Sequence, residues 1–221
     1  VTGTLWVSFF AILFAFPFGI GVSVYLSEIA SERTRQLLRP VIELLNGIPS
    51  VVYGFFGLVV IVPLLQRVFG LPVGESGLAG SIVLAIMALP TIIAVAEDAM
   101  HNCPRAMREA SLALGATQWQ TIYRVVIPYS ISGIASGVVL GIGRAVGETM
   151  AVLMVTGNAA VIPTSILEPL RTIPATIAAE LGEAPAGGAH YESLFLLGIV
   201  LFFITLAINL GVEAISSKSR S

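Results

Sequence analysis

Two charged residues, Arg144 and Glu148, interrupt an apolar run that is long enough to cross a membrane. A charge at the centre of a bilayer costs about 2.5–3.5 kcal/mol or more, so it normally faces the protein interior or water and has a partner. The two residues are four positions apart, the spacing at which a helix brings side chains together. We therefore expect either an ion pair that only neutralises both charges, or a guanidinium that binds an oxyanion such as phosphate or sulfate.

Three glycines of the same run share one side of the predicted helix with these charges. At about 100° per residue from Gly133, Gly137 lies at about 40° and Gly141 at about 80°. Arg144 then lies at about 20° and Glu148 at about 60°. Glycines four residues apart let another helix approach closely. The stripe predicts that both charges point at protein or at a water path, and not at lipid.

Three further polar residues extend the candidate path. Asn46 and Ser50 stand beside a proline at the start of another apolar run, where they could line a path or satisfy backbone groups at the proline break. Thr149 could hydrogen-bond between helices or contact a substrate. The candidate substrate-path residues are therefore Arg144, Glu148, Thr149, Ser50 and Asn46.

The chain is too apolar for a soluble domain. Of its 221 residues, 56% are hydrophobic and only 11% are charged, whereas a soluble domain carries roughly a quarter charged residues. The sequence predicts an all-α protein with one transmembrane domain over residues 1–221. Given about 20 residues per spanning helix, the spans are predicted near residues 4–26, 48–69, 78–96, 130–157 and 194–215.

Composition also excludes several functions. The formal net charge is −2, so nothing suggests a nucleic-acid partner. The single cysteine, Cys103, excludes an internal disulfide and a cysteine-based metal site, and the two histidines lie in separate loops, so no metal site is expected. The one lysine, Lys218, lies in the tail, whereas a phosphate-binding nucleotide loop needs a lysine after its glycines. We expect no catalysis and no cofactor in this chain.

Positive residues predict the orientation of the chain in the membrane. Loops 27–47 and 97–128 hold three arginines each, and the C-terminal tail holds two further positive residues. The opposite side holds only Arg67 and Arg171. The positive-inside rule therefore places both loops and the C-terminus in the cytoplasm. The N-terminus then lies outside, as expected for a chain that lacks a preceding helix.

The loop 97–128 carries a second pattern. Residues 105–114 have amphipathic helical spacing, with the apolar side chains on one side and the charged Arg105, Arg108 and Glu109 on the other. Gly115 interrupts the spacing as a turn would, and a second short amphipathic piece over 119–126 precedes Pro128. The pattern predicts a helix–turn–helix at a membrane surface that is offered to a soluble partner. The alternative is a helix that merely rests on the membrane.

This loop resembles the cytoplasmic signature of permease subunits of ATP-binding-cassette (ABC) importers, which reads EAA, three residues, Gly, nine residues, Ile, any residue, Leu, Pro. Here residues 109–111 read EAS, Gly115 follows after three residues, and VVIP at 125–128 ends the signature. The resemblance implies a coupling helix that docks on an ATPase subunit. The implied coupling residues are Arg108, Glu109, Ala110, Ser111, Gly115 and Ala116.

The run GIGRAVGETMAVLMVTGNA at 141–159 is similar to the corresponding helix of phosphate-specific importer permeases of the PstC type, and segments 8–28, 42–58 and 177–184 resemble the same family. The resemblance implies a type I ABC importer permease core with five spanning helices and a coupling helix, in the inner or plasma membrane of a prokaryote. It also implies a heterodimer with a PstA-like permease, two ATPase subunits that bind ATP and Mg²⁺, and an extracytoplasmic phosphate-binding protein.

Two alternatives stay open at this point. The signature loop does not discriminate phosphate from sulfate, molybdate or phosphonate, and the likeness around residues 141–159 is what favours phosphate. A secondary transporter or channel could use Arg144 and Glu148 as a proton or ion relay, but it leaves the signature loop unexplained. In the outer loop 158–193, a short helix over 172–181 is expected. The loop is either merely solvated, or it serves as a gate or as a docking surface for an external binding protein.

Overall fold

The computed structural model describes the backbone of residues 1–218 and the side chains of residues 1–211. Within residues 1–218 the chain forms eleven α-helices, and three π-helical segments continue α1, α3 and α7. The helices are α1 (Thr2–Val24), α2 (Glu32–Gly47), α3 (Ser50–Phe56), α4 (Val62–Phe69), α5 (Gly77–His101), α6 (Arg105–Ala113), α7 (Gln118–Thr121), α8 (Ile127–Gly147), α9 (Met150–Val155), α10 (Ile173–Glu180) and α11 (Ala189–Lys218).

Five helical stretches in the described part of the chain are long and apolar enough to cross a membrane, as the sequence predicts. Their order agrees with the prediction, and the first three and the fifth overlap the predicted ranges closely. The stretches are Thr2–Ile29, Ser50–Phe69, Gly77–His101, Gln118–Gly147 and Ala189–Gly211.

The fourth predicted span, 130–157, is wrong at both ends. The helical stretch begins earlier, at Gln118, because the second half of the loop helix–turn–helix runs without a break into α8. It ends earlier because Glu148 has extended backbone, with φ −70° and ψ 133°. Glycine is a poor helix former, so Gly147 weakens the helix at its last residue, and the chain restarts as α9.

Of the two alternatives for Arg144, the ion pair with Glu148 is not formed among the described side chains. Since α8 ends before Glu148, the helical register that would put both side chains on one stripe is lost. The Glu148 carboxylate instead accepts a hydrogen bond from the backbone N–H of Ala151 at 3.2 Å. It thereby satisfies one of the free N–H groups in the first turn of α9.

The glycine stripe of α8 faces protein, as predicted, and it packs on α5. A β-carbon added at Gly137 would lie 3.2 Å from the β-carbon of Val95, and one at Gly141 would lie 2.9 Å from Ile92 Cδ1. Larger residues would push the two helices apart. The α5 helix is the centre of the bundle, since α1 packs along another side of it and its own side chains form much of the buried core.

The segment predicted as loop 27–47 is largely the amphipathic helix α2. Ser31 caps it by accepting a hydrogen bond from the backbone N–H of Thr34 at 3.2 Å. The helix runs antiparallel to α5, because Arg35 contacts Glu97 near one end of the pair and Asn46 contacts Thr91 further along. Contacts between Arg108 and Glu28 join the two arginine-rich loops at one end of the bundle.

The outer-loop helix predicted over 172–181 is confirmed as α10. Thr172 caps it by accepting a hydrogen bond from the Ala175 N–H at 3.4 Å, and Pro174 lies in the first turn, where its missing N–H costs nothing.

Candidate functional site

Side chains from three helices converge on the guanidinium of Arg144. Arg144 Nη1 donates to Asn46 Oδ1, and its distance to Thr91 Oγ1 is 3.4 Å. The Thr91 hydroxyl donates to the same Asn46 oxygen at 3.0 Å. We call Asn46, Thr91 and Arg144 the Arg144 cluster. It links the end of α2 to the middle of α5 and to the last turn of α8.

The Arg144 cluster lies deep in the membrane-spanning region. Thr91 precedes His101, the last residue of α5, by ten residues, which is about 15 Å along a helix that rises 1.5 Å per residue. The hydrocarbon core of a bilayer is about 30 Å thick. Thr91 is therefore near the middle of a helix that is long and apolar enough to cross a membrane, and transporters place their substrate sites near the middle of the bilayer.

The positive charge of Arg144 has neutral partners. The ion pairs found among the described side chains do not include Arg144, and its hydrogen bonds there all use Nη1. The side chain is half-buried, so the rest of the guanidinium stays accessible. A guanidinium offers five N–H donors in a fork that matches an oxyanion. The arrangement can therefore bind an anion.

The Asn46 side chain is held in place by the turn between α2 and α3. Tyr53, in α3, donates its hydroxyl hydrogen bond to the backbone carbonyl of Leu45 at 2.7 Å. Helix α3 packs closely on α9, since a β-carbon at Gly54 would lie 2.9 Å from Ala151 Cα. The broken fourth span thus supports the helix that carries Asn46.

The sequence-predicted path residues are only partly brought together. Arg144 and Asn46 are in direct contact, whereas Glu148 turns to α9. Thr149 lies in the helix break, where its hydroxyl is 3.4 Å from the Gly147 carbonyl, and Ser50 is the first residue of α3. Their place in a substrate path stays a prediction. Thr91 was missed, although a threonine directly after a proline inside an apolar run is a signal of a polar site.

The signature loop forms the predicted helix–turn–helix. Helix α6 ends at Ala113, and Gly115 turns the chain with a φ of +85°, which glycine adopts without strain. Thr117 then caps α7 in a reciprocal capping box with Gln120. The Ser111 and Thr121 hydroxyl oxygens lie 3.0 Å apart, so a hydrogen bond joins the two arms.

Arg108 anchors this loop to the spanning helices. Its Nη2 atom donates to Glu28 Oε1 at 2.7 Å and to the Met100 carbonyl at 2.8 Å. Gln118 adds a hydrogen bond to the Glu28 carbonyl at 3.1 Å. The sequence placed Arg108 with the outward charges, but the structure directs it inward. Its contribution to coupling would be to position the loop.

The outer surface of the loop is open and partly apolar. Helix α6 buries none of its residues within the chain, and Leu114 is 89% exposed. Glu109, Ala110 and Gly115 are also exposed, whereas Ala116 is half-buried. Exposed apolar groups rimmed by polar ones are typical of a protein contact surface.

An ion-pair network that was not predicted from the sequence joins α2 and α5. Arg35 contacts Glu97 Oε1 through Nε at 2.7 Å and Nη2 at 2.6 Å, and both residues are buried. Arg39 pairs with Asp98 at 3.0 Å in an exposed position. The Asp98 carboxylate raises the pKa of the Arg39 guanidinium. The acidic pair at the end of the third apolar run, opposite the arginines of loop 27–47, was the available signal.

We expect Glu97→Gln to destabilise the protein by about 3–5 kcal/mol, because it leaves the buried Arg35 charge without a counter-charge. The matched control is Asp98→Asn, which removes an exposed pair that contributes about 1 kcal/mol or less. Thermal unfolding of both variants in detergent checks the expectation. Equal unfolding temperatures for the two variants would contradict it.

Cys103 is a buried thiol beside the Arg108 anchor, and burial raises its pKa, an effect that the nearby Arg108 charge partly opposes. Because the thiolate is the reactive form, we expect maleimide to label the folded protein several-fold more slowly than the unfolded chain at neutral pH, with a rate that rises as pH increases. Mass spectrometry of timed samples measures this. Rapid labelling of the folded protein would contradict the expectation, since it would show that the Cys103 thiol beside Arg108 is accessible to solvent.

Comparison with known proteins gives the class of this chain. The family model of binding-protein-dependent transport system inner membrane components matches residues 6–221. The inward-facing MetNI methionine ABC transporter contains a similar chain, with a TM-score of 0.75 at 21% identity over 98% of this chain and 93% of that one. A chain of a bacterial alginate ABC importer has a TM-score of 0.71 at 20% identity, over 99% of this chain and 78% of that one. These likenesses confirm the type I ABC importer permease fold.

The chain belongs to the family of binding-protein-dependent transport system inner membrane components. The probable ABC transporter permease YqgH of Bacillus subtilis is 41% identical over 220 residues, which cover 100% of this chain and 71% of that protein. The phosphate transport system permease PstC of Mesorhizobium japonicum is 41% identical over 227 residues, which cover 94% of this chain and 69% of that protein. The phosphate transport system permease PstC 1 of Mycobacterium tuberculosis is 35% identical over 235 residues, which cover 96% of this chain and 70% of that protein.

The resemblance inferred from the sequence is thereby confirmed. The chain is a non-catalytic, multi-pass inner-membrane permease subunit. Permeases of this class work with a second permease, ATPase subunits and a substrate-binding protein.

Proposed function

We propose that this chain forms half of the translocation pathway of an ATP-driven phosphate importer, and that phosphate passes Arg144. The observation that carries the proposal is a guanidinium beside the middle of the spanning-length helix α5 whose partners are an amide oxygen and a hydroxyl. A charge in that environment is costly, and an anion in transit would offset the cost. Relatives named as phosphate permeases, at 35–41% identity, support phosphate as that anion.

Phosphate fits the chemistry of the Arg144 cluster. Guanidinium and phosphate match in bidentate geometry, and the Thr91 hydroxyl is close enough to contribute a further hydrogen bond. Sulfate, molybdate and phosphonate share part of this chemistry, and they are the competing substrates that a transport assay must exclude.

The energy would come from ATP and Mg²⁺ bound by two cytoplasmic ATPase subunits. The helix–turn–helix at 105–121 and the C-terminus would face the cytoplasm, where the exposed α6 surface docks on an ATPase. A PstA-like permease would complete the pathway, and an extracytoplasmic phosphate-binding protein would deliver the substrate. When ATP closes the ATPase pair, the docked loop would move with it and open the path outward. Hydrolysis would restore the inward state.

Reconstitution in proteoliposomes tests this proposal. The chain is co-expressed with a PstA-like permease and an ATPase subunit. Uptake of labelled phosphate is then followed in the presence of the phosphate-loaded binding protein. We expect uptake that requires ATP and that excess sulfate or molybdate does not suppress. Uptake by this chain without any ATPase would instead show a secondary transporter, and suppression by sulfate or molybdate would show a different oxyanion importer.

A further inference from the structure

The amide oxygen of Asn46 occupies the edge of the Arg144 guanidinium that faces α2 and α5. It accepts hydrogen bonds from both Arg144 Nη1 and Thr91 Oγ1, the latter at 3.0 Å. These contacts use the amide oxygen alone. The amide therefore presents a neutral acceptor where an oxyanion would present a charged one.

We propose that Asn46 is a positioning residue of the path, which holds Arg144 while the path is empty and yields it when an oxyanion arrives. The inference rests on the proposed function and deepens it. The neutrality of Asn46 is the property that matters, because it leaves the charge of Arg144 uncompensated.

The relative strength of the two contacts gives the direction of the exchange. Both contacts involve the ionised guanidinium, but an oxyanion adds an opposite charge and can accept two parallel hydrogen bonds, whereas the amide offers one neutral acceptor. An oxyanion that forms two hydrogen bonds with Arg144 therefore displaces the amide. After the anion is released, the amide again accepts a hydrogen bond from Arg144, so the guanidinium is not left without a partner. The displaced side chain can then turn its N–H donors to the anion.

Release of Asn46 also changes the connection between helices. In this structure Asn46 joins the end of α2 to α8 through Arg144 and to α5 through Thr91. The same turn is tied to α3 by Tyr53. Binding of an oxyanion would therefore free the α2–α3 turn from α8 at the moment when the path is loaded.

Aspartate at position 46 provides the sharpest test, since it keeps the size and the acceptor oxygen of asparagine but adds a charge. A carboxylate at position 46 would already be in contact with Arg144, so its binding to Arg144 is intramolecular. It would compete with every phosphate that enters. A purely structural role for Asn46 predicts the opposite, because aspartate can still accept both hydrogen bonds and alanine can accept neither.

The experiment compares Asn46→Asp with Asn46→Ala in the complete reconstituted importer at saturating loaded binding protein. We expect Asn46→Asp to lower phosphate uptake by about tenfold or more, and Asn46→Ala to lower it by about threefold or less, as charge competition requires. We also expect Asn46→Ala to raise ATP hydrolysis in the absence of phosphate. Co-purification of the ATPase subunits controls for assembly, and Asn46→Ser replaces the alanine variant if that variant does not assemble.

Equal uptake by the two variants, or weaker uptake by Asn46→Ala than by Asn46→Asp, would overturn the inference. Such a result would leave the proposed function intact as long as the unaltered importer takes up phosphate with ATP. Failure of the unaltered importer to take up phosphate would instead remove the proposed function itself.

Discussion

Arg144→Gln abolishes phosphate uptake while the importer still assembles. This is the largest effect that we expect, because the substitution removes the positive charge that the structure places beside Asn46 and Thr91, next to the middle of α5. Glutamine is polar but two bonds shorter, so it removes the charge and the Nη1 contacts without placing an apolar group in the path. Hydrogen bonds to a charged group contribute about 1.5–3 kcal/mol each, so loss of two of them lowers uptake by at least about 100-fold.

Two control variants make this result specific. Arg144→Lys keeps the charge but loses the bidentate fork, so it should retain a measurable fraction of uptake. The double reversal Arg144→Glu with Glu148→Arg should stay inactive, because Glu148 caps α9 and does not pair with Arg144. Restored uptake in the double variant would show that the two charges act as a pair. Normal uptake by Arg144→Gln would reject an oxyanion role for Arg144.

The second large effect is expected in the signature loop. Gly115→Pro should disconnect ATP hydrolysis from transport, because Gly115 has a φ of +85° and proline fixes φ near −65°. Proline also removes the Gly115 N–H that donates to the Leu112 carbonyl at 2.9 Å. The turn between α6 and α7 would then change direction, and the exposed face of α6 would lose its docking geometry.

The readouts are the ATPase rate and the phosphate uptake of the same preparation. We expect basal ATP hydrolysis to persist, while its stimulation by the loaded binding protein and the uptake itself are lost. Gly115→Asn is the matched control, since asparagine tolerates the left-handed region and should retain most of the coupling. Glu109→Lys reverses a charge on the exposed face and should also weaken coupling. A coupled rate unchanged in both Gly115→Pro and Glu109→Lys would count against docking of this loop.

Local patterns predicted most of the fold. The apolar runs identified five spanning stretches, and the glycine stripe of α8 packs on α5 as expected. The turn at Gly115 and the cap at Thr172 depend only on neighbouring residues, so the sequence was sufficient for both. The main error in the fold was the helix break at Glu148. The Glu148 carboxylate accepts a hydrogen bond from the first turn of α9, which favours ending α8 at Gly147. The hydrophobicity of the run gives no sign of this break.

The candidate site was less predictable because its contacts join distant parts of the chain. Arg144 was recognised by its cost in a membrane, but its true partners depend on how α2 lies along α5. Thr91 is 53 positions from Arg144, a separation that no spacing rule addresses. Arg108 was expected among the outward charges of an amphipathic helix, yet the Glu28 carboxylate and the Met100 carbonyl draw it inward.

A structure of the assembled importer with phosphate trapped in the path would show directly whether phosphate binds the Arg144 guanidinium. An ATPase variant that binds but does not hydrolyse ATP would hold the complex in one state during electron cryomicroscopy. We expect phosphate oxygens within hydrogen-bonding distance of the Arg144 guanidinium, at about 2.7–2.9 Å, and the Asn46 oxygen displaced from Arg144. Phosphate bound elsewhere in the path, with Arg144 still on Asn46 and Thr91, would contradict it.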